Sequence, residues 1–243
     1  MKIAIFAAGT GGHIFPALSI AEEFKREDVI FFASSRELEK KIYTETEYKV
    51  IYLDIDGFRG KGIFKKVIWP ISFIYNLFKF IYILINNNPK KVLLMGGYIS
   101  SLGLVAGKIL WKSLYIHEQN SILGTSNSIA KNFAKKVFTG FKLGLSNEYY
   151  SGNPIRKEIR GSSYLDIPEK ENILIIGGSQ GSKFFNDNLP QALVESNISE
   201  KIIFQKGSHI INFESSNIEF IDFIDDISKI FAKTKFVICR SGA

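Results

Sequence analysis

The sequence predicts an α/β protein with two Rossmann-like, doubly wound domains, the second of them incomplete. A strand, a glycine-rich turn and a helix open the chain at Lys2, and the same pattern restarts at Asn172. Other short apolar strands alternate with helical segments, which is typical of a parallel sheet covered by helices on both faces. Glycine, asparagine and proline cluster at 151–156, so we predict domains at 1–155 and 156–243.

Each predicted element follows from hydrophobic periodicity and its bounding residues. In the first half, strands are predicted at Lys2–Phe6, Val29–Ala33, Lys49–Leu53, Val92–Met95 and Ser113–His117, with helices at Phe15–Lys25 and Arg36–Tyr43. In the second half, strands are predicted at Asn172–Ile176, Lys201–Gln205, Ile218–Phe220 and Phe236–Cys239, with a helix at Ser182–Glu195. Only 87 residues follow Arg156, whereas a domain of this type usually needs about 150.

Composition and charge exclude several classes of protein. The single cysteine, Cys239, excludes a disulfide framework, and it shares no ligand spacing with His13, His117 or His209, so no metal site is predicted. The short apolar run after Lys2 is not typical of a signal peptide. Residues 1–156 carry 21 Lys and Arg against 12 Asp and Glu, a net charge of +9, which suits an anionic partner or serves solubility alone.

The first glycine turn, Gly9–His13, is suited to phosphate, because glycines allow backbone N–H groups to approach a ligand and the next helix directs its positive end at it. It is not a dinucleotide fingerprint, since Ile14 stands where a glycine is needed. A plain tight turn remains an alternative. His13 has the chemistry of a general base, or equally of a helix cap.

The second glycine turn, Gly177–Gly181, repeats this arrangement. It is not a P-loop, because Ser182 rather than glycine precedes Lys183. Small residues with one hydroxyl suit a nucleotide diphosphate. Two such turns facing one cleft would hold a donor diphosphate and an acceptor pyrophosphate. Polar residues at His117–Asn120 follow a strand, and Arg156 is able to form a bidentate contact with phosphate; both are also compatible with ordinary surface positions.

Ile63–Ile85 is the most apolar segment of the chain. Ser72, Asn76 and Lys79 form one polar stripe at helical spacing, and Pro70 stands where a helix could start. We predict an amphipathic helix lying in a membrane surface, with a buried core helix as the alternative. A spanning helix is disfavoured because it would place Lys79 in hydrocarbon.

Eight motifs occur in order along the chain, namely Gly9–His13 with Pro16–Leu18, Gly57–Gly62, Met95–Tyr98, His117–Asn120, Gly152–Arg156, Gly177–Gly181, Phe223–Asp226 and Cys239–Ala243. Together they resemble the lipid II-forming N-acetylglucosaminyltransferases of peptidoglycan synthesis, the MurG family, whose fold is the two-Rossmann GT-B type. The resemblance implies inverting transfer of N-acetylglucosamine from UDP-N-acetylglucosamine to undecaprenyl-pyrophosphoryl-muramyl-pentapeptide, without a cofactor. It also implies a peripheral location on the anionic, cytoplasmic face of the bacterial inner membrane.

The resemblance also assigns roles to residues. His13 corresponds to the suggested base, and the substrate-binding positions are Thr10, Gly11, Gly12, Asn120, Arg156, Ser179, Ile224 and Ala243. The family's ribose-binding glutamate and sugar-reading glutamines would follow Ala243, so we expect little turnover from these 243 residues alone. The alternative is a fragmentary or decayed membrane-associated binding domain without turnover. Nucleic-acid binding is disfavoured, because base-reading aromatic and basic motifs are not interleaved.

Overall fold

A computed structural model describes residues 2–53, 63–160, 170–178, 180–196 and 198–240, with only the backbone at 63–69, 158 and 160. These residues form two compact units, one ending at Pro154 and the other beginning at Ile155. Every described strand pairs in parallel with its neighbours. The α/β class and the two Rossmann-like sheets predicted from the sequence are therefore confirmed.

The described part of the first unit contains seven strands in the order β3-β2-β1-β4-β5-β6-β7. The strands are β1 (Ile3–Phe6), β2 (Val29–Ser34), β3 (Lys49–Leu53), β4 (Lys91–Leu94), β5 (Ser113–Glu118), β6 (Lys136–Thr139) and β7 (Glu148–Tyr150). The helices are α1 (Gly11–Ala21), α2 (Glu37–Thr44), α3 (Ile63–Asn87), α4 (Gly97–Ile109) and α5 (Thr125–Ala130), with a 3₁₀ turn at Arg26–Asp28.

Two apolar layers cover this sheet. One includes Phe6, Phe32, Phe80 and Leu84 and joins the sheet to α3 and α4. The other includes Ile14 and Tyr43 and joins it to α1 and α2. Because both faces are covered, β1 and β2 are buried at every position, which explains their continuous apolar sequences.

The second unit repeats the design on a smaller scale. Its described strands follow the order β10-β9-β8-β11. They are β8 (Asn172–Ile176), β9 (Lys201–Gln205), β10 (Ile218–Ile221) and β11 (Thr234–Cys239), with helices α6 (Lys157–Arg160), α7 (Lys183–Glu195) and α8 (Ile227–Ala232). Leu193 of α7 packs in a core layer with Ile173, and Ile227 of α8 packs in another with Leu174.

The predicted start of the first helix was wrong. Helix α1 begins at Gly11, directly after Thr10, so Pro16 lies in its interior rather than its first turn. The glycines that were read as a turn form the first helical residues, because the amide N–H of His13 bonds to the Thr10 carbonyl at 3.0 Å. The sequence reading also missed α4, whose glycines and small residues weaken a helical pattern.

Only part of the polar stripe predicted for α3 faces solvent, since Lys79 is exposed and Ser72 is half-buried. Asn76 is buried, and its side-chain amide donates to the Ser72 carbonyl at 2.7 Å. Phe80 and Leu84 are also buried, so α3 is partly a core helix. Its opposite face exposes apolar side chains, namely Ile71, Ile74, Tyr75, Phe78, Tyr82 and Ile85. Among the described residues, no helix is long and apolar enough to span a membrane.

Candidate active site

The candidate site of the first unit lies at one edge of its sheet. Strands β1, β4 and β5 are neighbours and parallel, so the loops that follow them emerge side by side. These loops carry the first glycine turn, Gly96-Gly97 and the residues His117–Asn120. Ligands of doubly wound sheets bind at this carboxyl edge.

The first glycine turn leads into α1 and is partly exposed. Gly9 has a φ of 108°, a conformation that favours glycine. Thr10 is extended, with φ −126° and ψ 165°, and its side chain makes no capping hydrogen bond. Thr10 and Gly12 are exposed. The positive end of an 11-residue helix therefore opens toward solvent beside the sheet edge.

A buried carboxylate forms hydrogen bonds to the backbone of this turn. Glu39 of α2 is fully buried and accepts hydrogen bonds from the backbone N–H of Gly9 at 2.9 Å and of Ser34 at 2.8 Å. The Ser34 hydroxyl donates to the same carboxylate. The sequence reading missed Glu39, although an acidic residue at a position of a helix that faces the core is an available signal.

His13 lies in the first turn of α1 and is half-buried. A Cβ atom on Gly96 would approach its ring carbon Cε1 to 3.1 Å, so the glycine after β4 makes room for the imidazole. Gly96 has a φ of 99° and a ψ of −174°, a region that only glycine adopts readily. Space for the His13 ring and the positive φ together explain why glycine stands at position 96 of the motif Met95–Tyr98.

A chain of polar contacts extends from His13 into the protein. His13 Nδ1 lies 2.8 Å from Gln119 Oε1, and Gln119 Nε2 lies 3.0 Å from His117 Nδ1. Gln119 Nε2 also donates to the His117 carbonyl at 3.1 Å. His117 Nε2 lies 3.3 Å from the Gly152 carbonyl. Burial lowers the pKa of the His117 imidazole, so the neutral ring is favoured inside the protein.

Asn120 is positioned by its neighbour Glu118. The buried carboxylate of Glu118 accepts from Asn120 Nδ2 at 2.7 Å and from the Asn120 backbone N–H at 3.1 Å. It also accepts from the Gly124 backbone and from Asn127 Nδ2, both at 2.9 Å. Four donors on one acceptor-only group give the loop after β5 a defined shape. The roles of Glu118 and Gln119 are not predicted from the sequence.

In the second unit, Gln205 joins two of the loops at the carboxyl edge. Its side chain lies at the end of β9 and is buried. Nε2 donates to the Gly178 carbonyl at 2.8 Å, and Oε1 accepts from the Ile224 backbone N–H at 3.3 Å. The second glycine turn and the segment containing Ile224 are therefore adjacent. Gln205 was not identified from the sequence.

The structure describes only some of the other predicted substrate-binding residues. Arg156 opens the second unit just before α6, and its carbonyl accepts from the Ile159 N–H at 3.1 Å. Ser179 and Ala243 lie outside the described residues, as do Gly57–Gly62. Within the described part of the chain, no group of three or more His, Cys, Asp or Glu side chains is arranged to hold a metal ion.

Comparison with known families defines the class of protein. Residues 3–139 match the glycosyltransferase family 28 N-terminal domain, and residues 172–243 match the C-terminal domain of the same family. The two matches correspond to the two Rossmann-like sheets. The fold and the sequence thus define a glycosyltransferase of the GT-B type.

Relatives narrow the class further. The chain is 30% identical to the UDP-N-acetylglucosamine–N-acetylmuramyl-(pentapeptide) pyrophosphoryl-undecaprenol N-acetylglucosamine transferase of Histophilus somni, covering 100% of this chain and 73% of the relative. It is 31% identical to the transferase of the same name from Burkholderia thailandensis, over 99% and 71% of the two chains. The crystal structure of Acinetobacter baumannii MurG superimposes with a TM-score of 0.69 at 28% identity, over 99% of this chain and 74% of that one. The chain therefore belongs to the MurG family of N-acetylglucosamine transferases.

Proposed function

We propose that the site transfers N-acetylglucosamine from UDP-N-acetylglucosamine to a lipid-linked muramyl-pentapeptide pyrophosphate. The observation that carries this proposal is the placement of His13 in the first turn of α1, beside an exposed glycine turn and with Nδ1 held by Gln119. A titratable ring next to a helix N-terminus provides a base and an anion site together. The names of the relatives supply the donor and the acceptor.

In this mechanism, an acceptor sugar hydroxyl attacks the anomeric carbon of the donor. A new C–O bond forms, and the bond from that carbon to the UDP oxygen breaks with inversion. The hydroxyl proton moves to His13 Nε2, and UDP leaves with the bonding electron pair. Backbone N–H groups and helix dipoles stabilise the diphosphate charge.

The acceptor contacts belong to the first unit, whose domain we place at 1–155. Thr10, Gly11 and Gly12 are the proposed acceptor contacts at the positive end of α1, where Thr10 and Gly12 are exposed, which suits a lipid-borne pyrophosphate. The first unit also supplies one donor contact, because Asn120, oriented by two hydrogen bonds to Glu118, binds the sugar that is transferred.

The other donor contacts belong to the second domain, 156–243. Arg156 pairs with the donor diphosphate, and the backbone of Ile224 binds the uracil. The Ile224 N–H bonds to Gln205 at 3.3 Å, so uracil binding there would replace or share a long hydrogen bond. Ser179 and Ala243 complete the proposed set from outside the described residues.

The exposed face of α3 is the proposed membrane-docking surface. Six large apolar side chains of α3 between Ile71 and Ile85 are more than half exposed. Helix α4 packs beside α3, and beyond its end Trp111 is 92% exposed next to Lys112, which bonds to Asn88 at 2.9 Å. Apolar side chains flanked by lysines suit the interface of an anionic bilayer. This surface would hold the protein peripherally at the cytoplasmic face of the inner membrane, where its lipid substrate lies.

A single-turnover assay tests the transfer directly. The chain, in excess over lipid I in vesicles, is mixed with saturating radiolabelled UDP-N-acetylglucosamine, and label in the lipid fraction is followed. We expect labelled disaccharide lipid to form at the low rate anticipated for these 243 residues, and the rate to fall at least ~100-fold further in His13→Gln, since a general base contributes on the order of 10²–10⁴. Vesicle binding without any product would favour the alternative, a membrane-associated binding domain without turnover.

A further inference from the structure

We propose that Gln119 is a positioning residue that fixes the tautomer of His13, leaving Nε2 as the unprotonated nitrogen. This inference deepens the proposed function, because it concerns the state of the proposed base. Gln119 is buried and is not among the predicted substrate-binding residues. Its two amide ends instead contact the rings of two histidines.

The orientation of the Gln119 amide follows from a backbone carbonyl. Gln119 Nε2 lies 3.1 Å from the His117 carbonyl oxygen, which can only accept a hydrogen bond. The nitrogen must therefore lie on the His117 side, and Oε1 must lie on the side of His13. An oxygen at 2.8 Å from His13 Nδ1 requires that nitrogen to carry the proton. In the neutral imidazole, Nε2 is then the basic atom.

The contacts of His117 require the same orientation of the Gln119 amide. His117 Nε2 lies 3.3 Å from the Gly152 carbonyl oxygen, so Nε2 is the donor and Nδ1 the acceptor in its neutral ring. That Nδ1 accepts from Gln119 Nε2 at 3.0 Å. Two backbone carbonyls thus determine every proton position from Gly152 to His13. No other assignment of the neutral rings satisfies all four contacts.

The remaining edge of His13 is available to a substrate. Its Nε2 has no hydrogen-bond partner among the described residues, whereas Nδ1 is occupied by Gln119. If the ring took the opposite tautomer, Nδ1 and Gln119 Oε1 would both be acceptors 2.8 Å apart, which is unfavourable. A third group that orients a catalytic base in this way is a general device of acid–base catalysis.

Long-range proton–nitrogen NMR on the chain labelled with ¹⁵N-histidine tests the inference without requiring turnover. The chain has three histidines, and His13→Gln identifies the His13 signals. We expect the neutral ring of His13 to be protonated at Nδ1. Gln119→Met removes both amide contacts and should convert most of the population to the Nε2-protonated form, which free histidine prefers. Gln119→Glu keeps an acceptor for the Nδ1 proton and should retain the wild-type His13 pattern.

Two controls make the result decisive. His209 belongs to the second unit, so its signals should not change in any Gln119 variant and report intact folding there. In the transfer assay, Gln119→Met should lower the single-turnover rate at least ~10-fold with the acceptor dependence unchanged, whereas Gln119→Glu should restore most of the rate. An unaltered His13 pattern in Gln119→Met would refute the inference and leave the proposed transfer standing. A wild-type chain with the expected tautomer but no transfer would count against the proposed function alone.

Discussion

The carboxylate of Glu39 lies 2.9 Å from the backbone nitrogen of Gly9, a residue 30 positions earlier in the chain. This contact joins α2 to the glycine turn of the proposed acceptor site. The same carboxylate bonds to Ser34 at the end of β2. The shape of the turn therefore depends on a residue outside every motif in the sequence.

Replacing Glu39 with alanine should destabilise the first unit by about 2–4 kcal/mol, because the buried N–H of Ser34 and the partly buried N–H of Gly9 would lose their acceptor. Urea unfolding monitored by circular dichroism measures this. Glu37→Ala is the matched control, since Glu37 lies on the exposed side of the same helix and should change stability by less than about 0.5 kcal/mol. Equal effects of the two substitutions would contradict the role given to Glu39.

Gly96→Ala should displace the His13 ring as well as strain the backbone. The added Cβ would lie 3.1 Å from His13 Cε1, at a φ of 99°. We expect a loss of roughly 1–3 kcal/mol in stability and altered His13 NMR signals.

Gly144→Ala separates these two effects. Gly144 also has a positive φ of 70°, but a Cβ added there would meet no atom within 4 Å. Backbone strain alone should cost about 1–2 kcal/mol there, without any change at His13. Identical His13 spectra in the two variants would show that Gly96 makes no room for the ring.

The membrane proposal predicts that Tyr75→Ser and Phe78→Ser weaken vesicle binding about 10-fold or more each. Burying one such side chain is worth about 1.5–3 kcal/mol. Flotation with vesicles containing anionic lipid measures the effect. Phe184→Ser is the control, because Phe184 of α7 is 68% exposed, like Phe78 at 67%, yet lies in the second unit. Equal losses in all three variants would indicate nonspecific adsorption.

His117 should make stability depend on pH near neutrality. Burial lowers the pKa of its imidazole from 6.5, although the Gly152 carbonyl and the Glu118 charge act in the opposite direction. The unfolded chain therefore binds a proton more readily than the folded one. The free energy of unfolding should fall as pH decreases below about 6.5, until the folded-state pKa is passed. His117→Asn should flatten this dependence, and an unchanged slope would contradict the assignment.

Glu148 should make stability depend on pH in a more acidic range than His117 does. The Thr139 hydroxyl and the backbone N–H groups of Leu143 and Leu145 lower the pKa of its carboxyl from 4.5 to about 2. Its contribution to stability should be complete above pH 4.5 and disappear as pH falls toward 2. Comparing acid unfolding of the wild type with Glu148→Gln tests this, since the variant should lose stability at neutral pH and show a weaker acid dependence. If Glu148→Gln unfolds in acid as the wild type does, the Glu148 carboxylate is not the source of the acid dependence.

Much of the fold follows from local sequence. Strands β3, β8 and β9 occupy the residues at which alternation of apolar runs and turns predicts them. Helix α4 escaped prediction, because its glycines suit close packing against the sheet rather than helix formation. A Cβ on Gly103 would lie 2.7 Å from side-chain atoms of Leu94 and Phe6. Tertiary contact therefore outweighs local propensity there.

The sequence by itself determined the two strand–glycine turn–helix units, the candidate base His13 and the resemblance that names the family. Only the tertiary structure decided that Gln119 contacts His13 across 106 positions and that Glu39 supports Gly9. It also placed Asn76 in the core and the apolar face of α3 in solvent. Hydrophobic periodicity indicates which residues share one face of a helix or strand. Which partner that face meets depends on the order of strands in the sheet, and this order is a long-range property that no local pattern encodes.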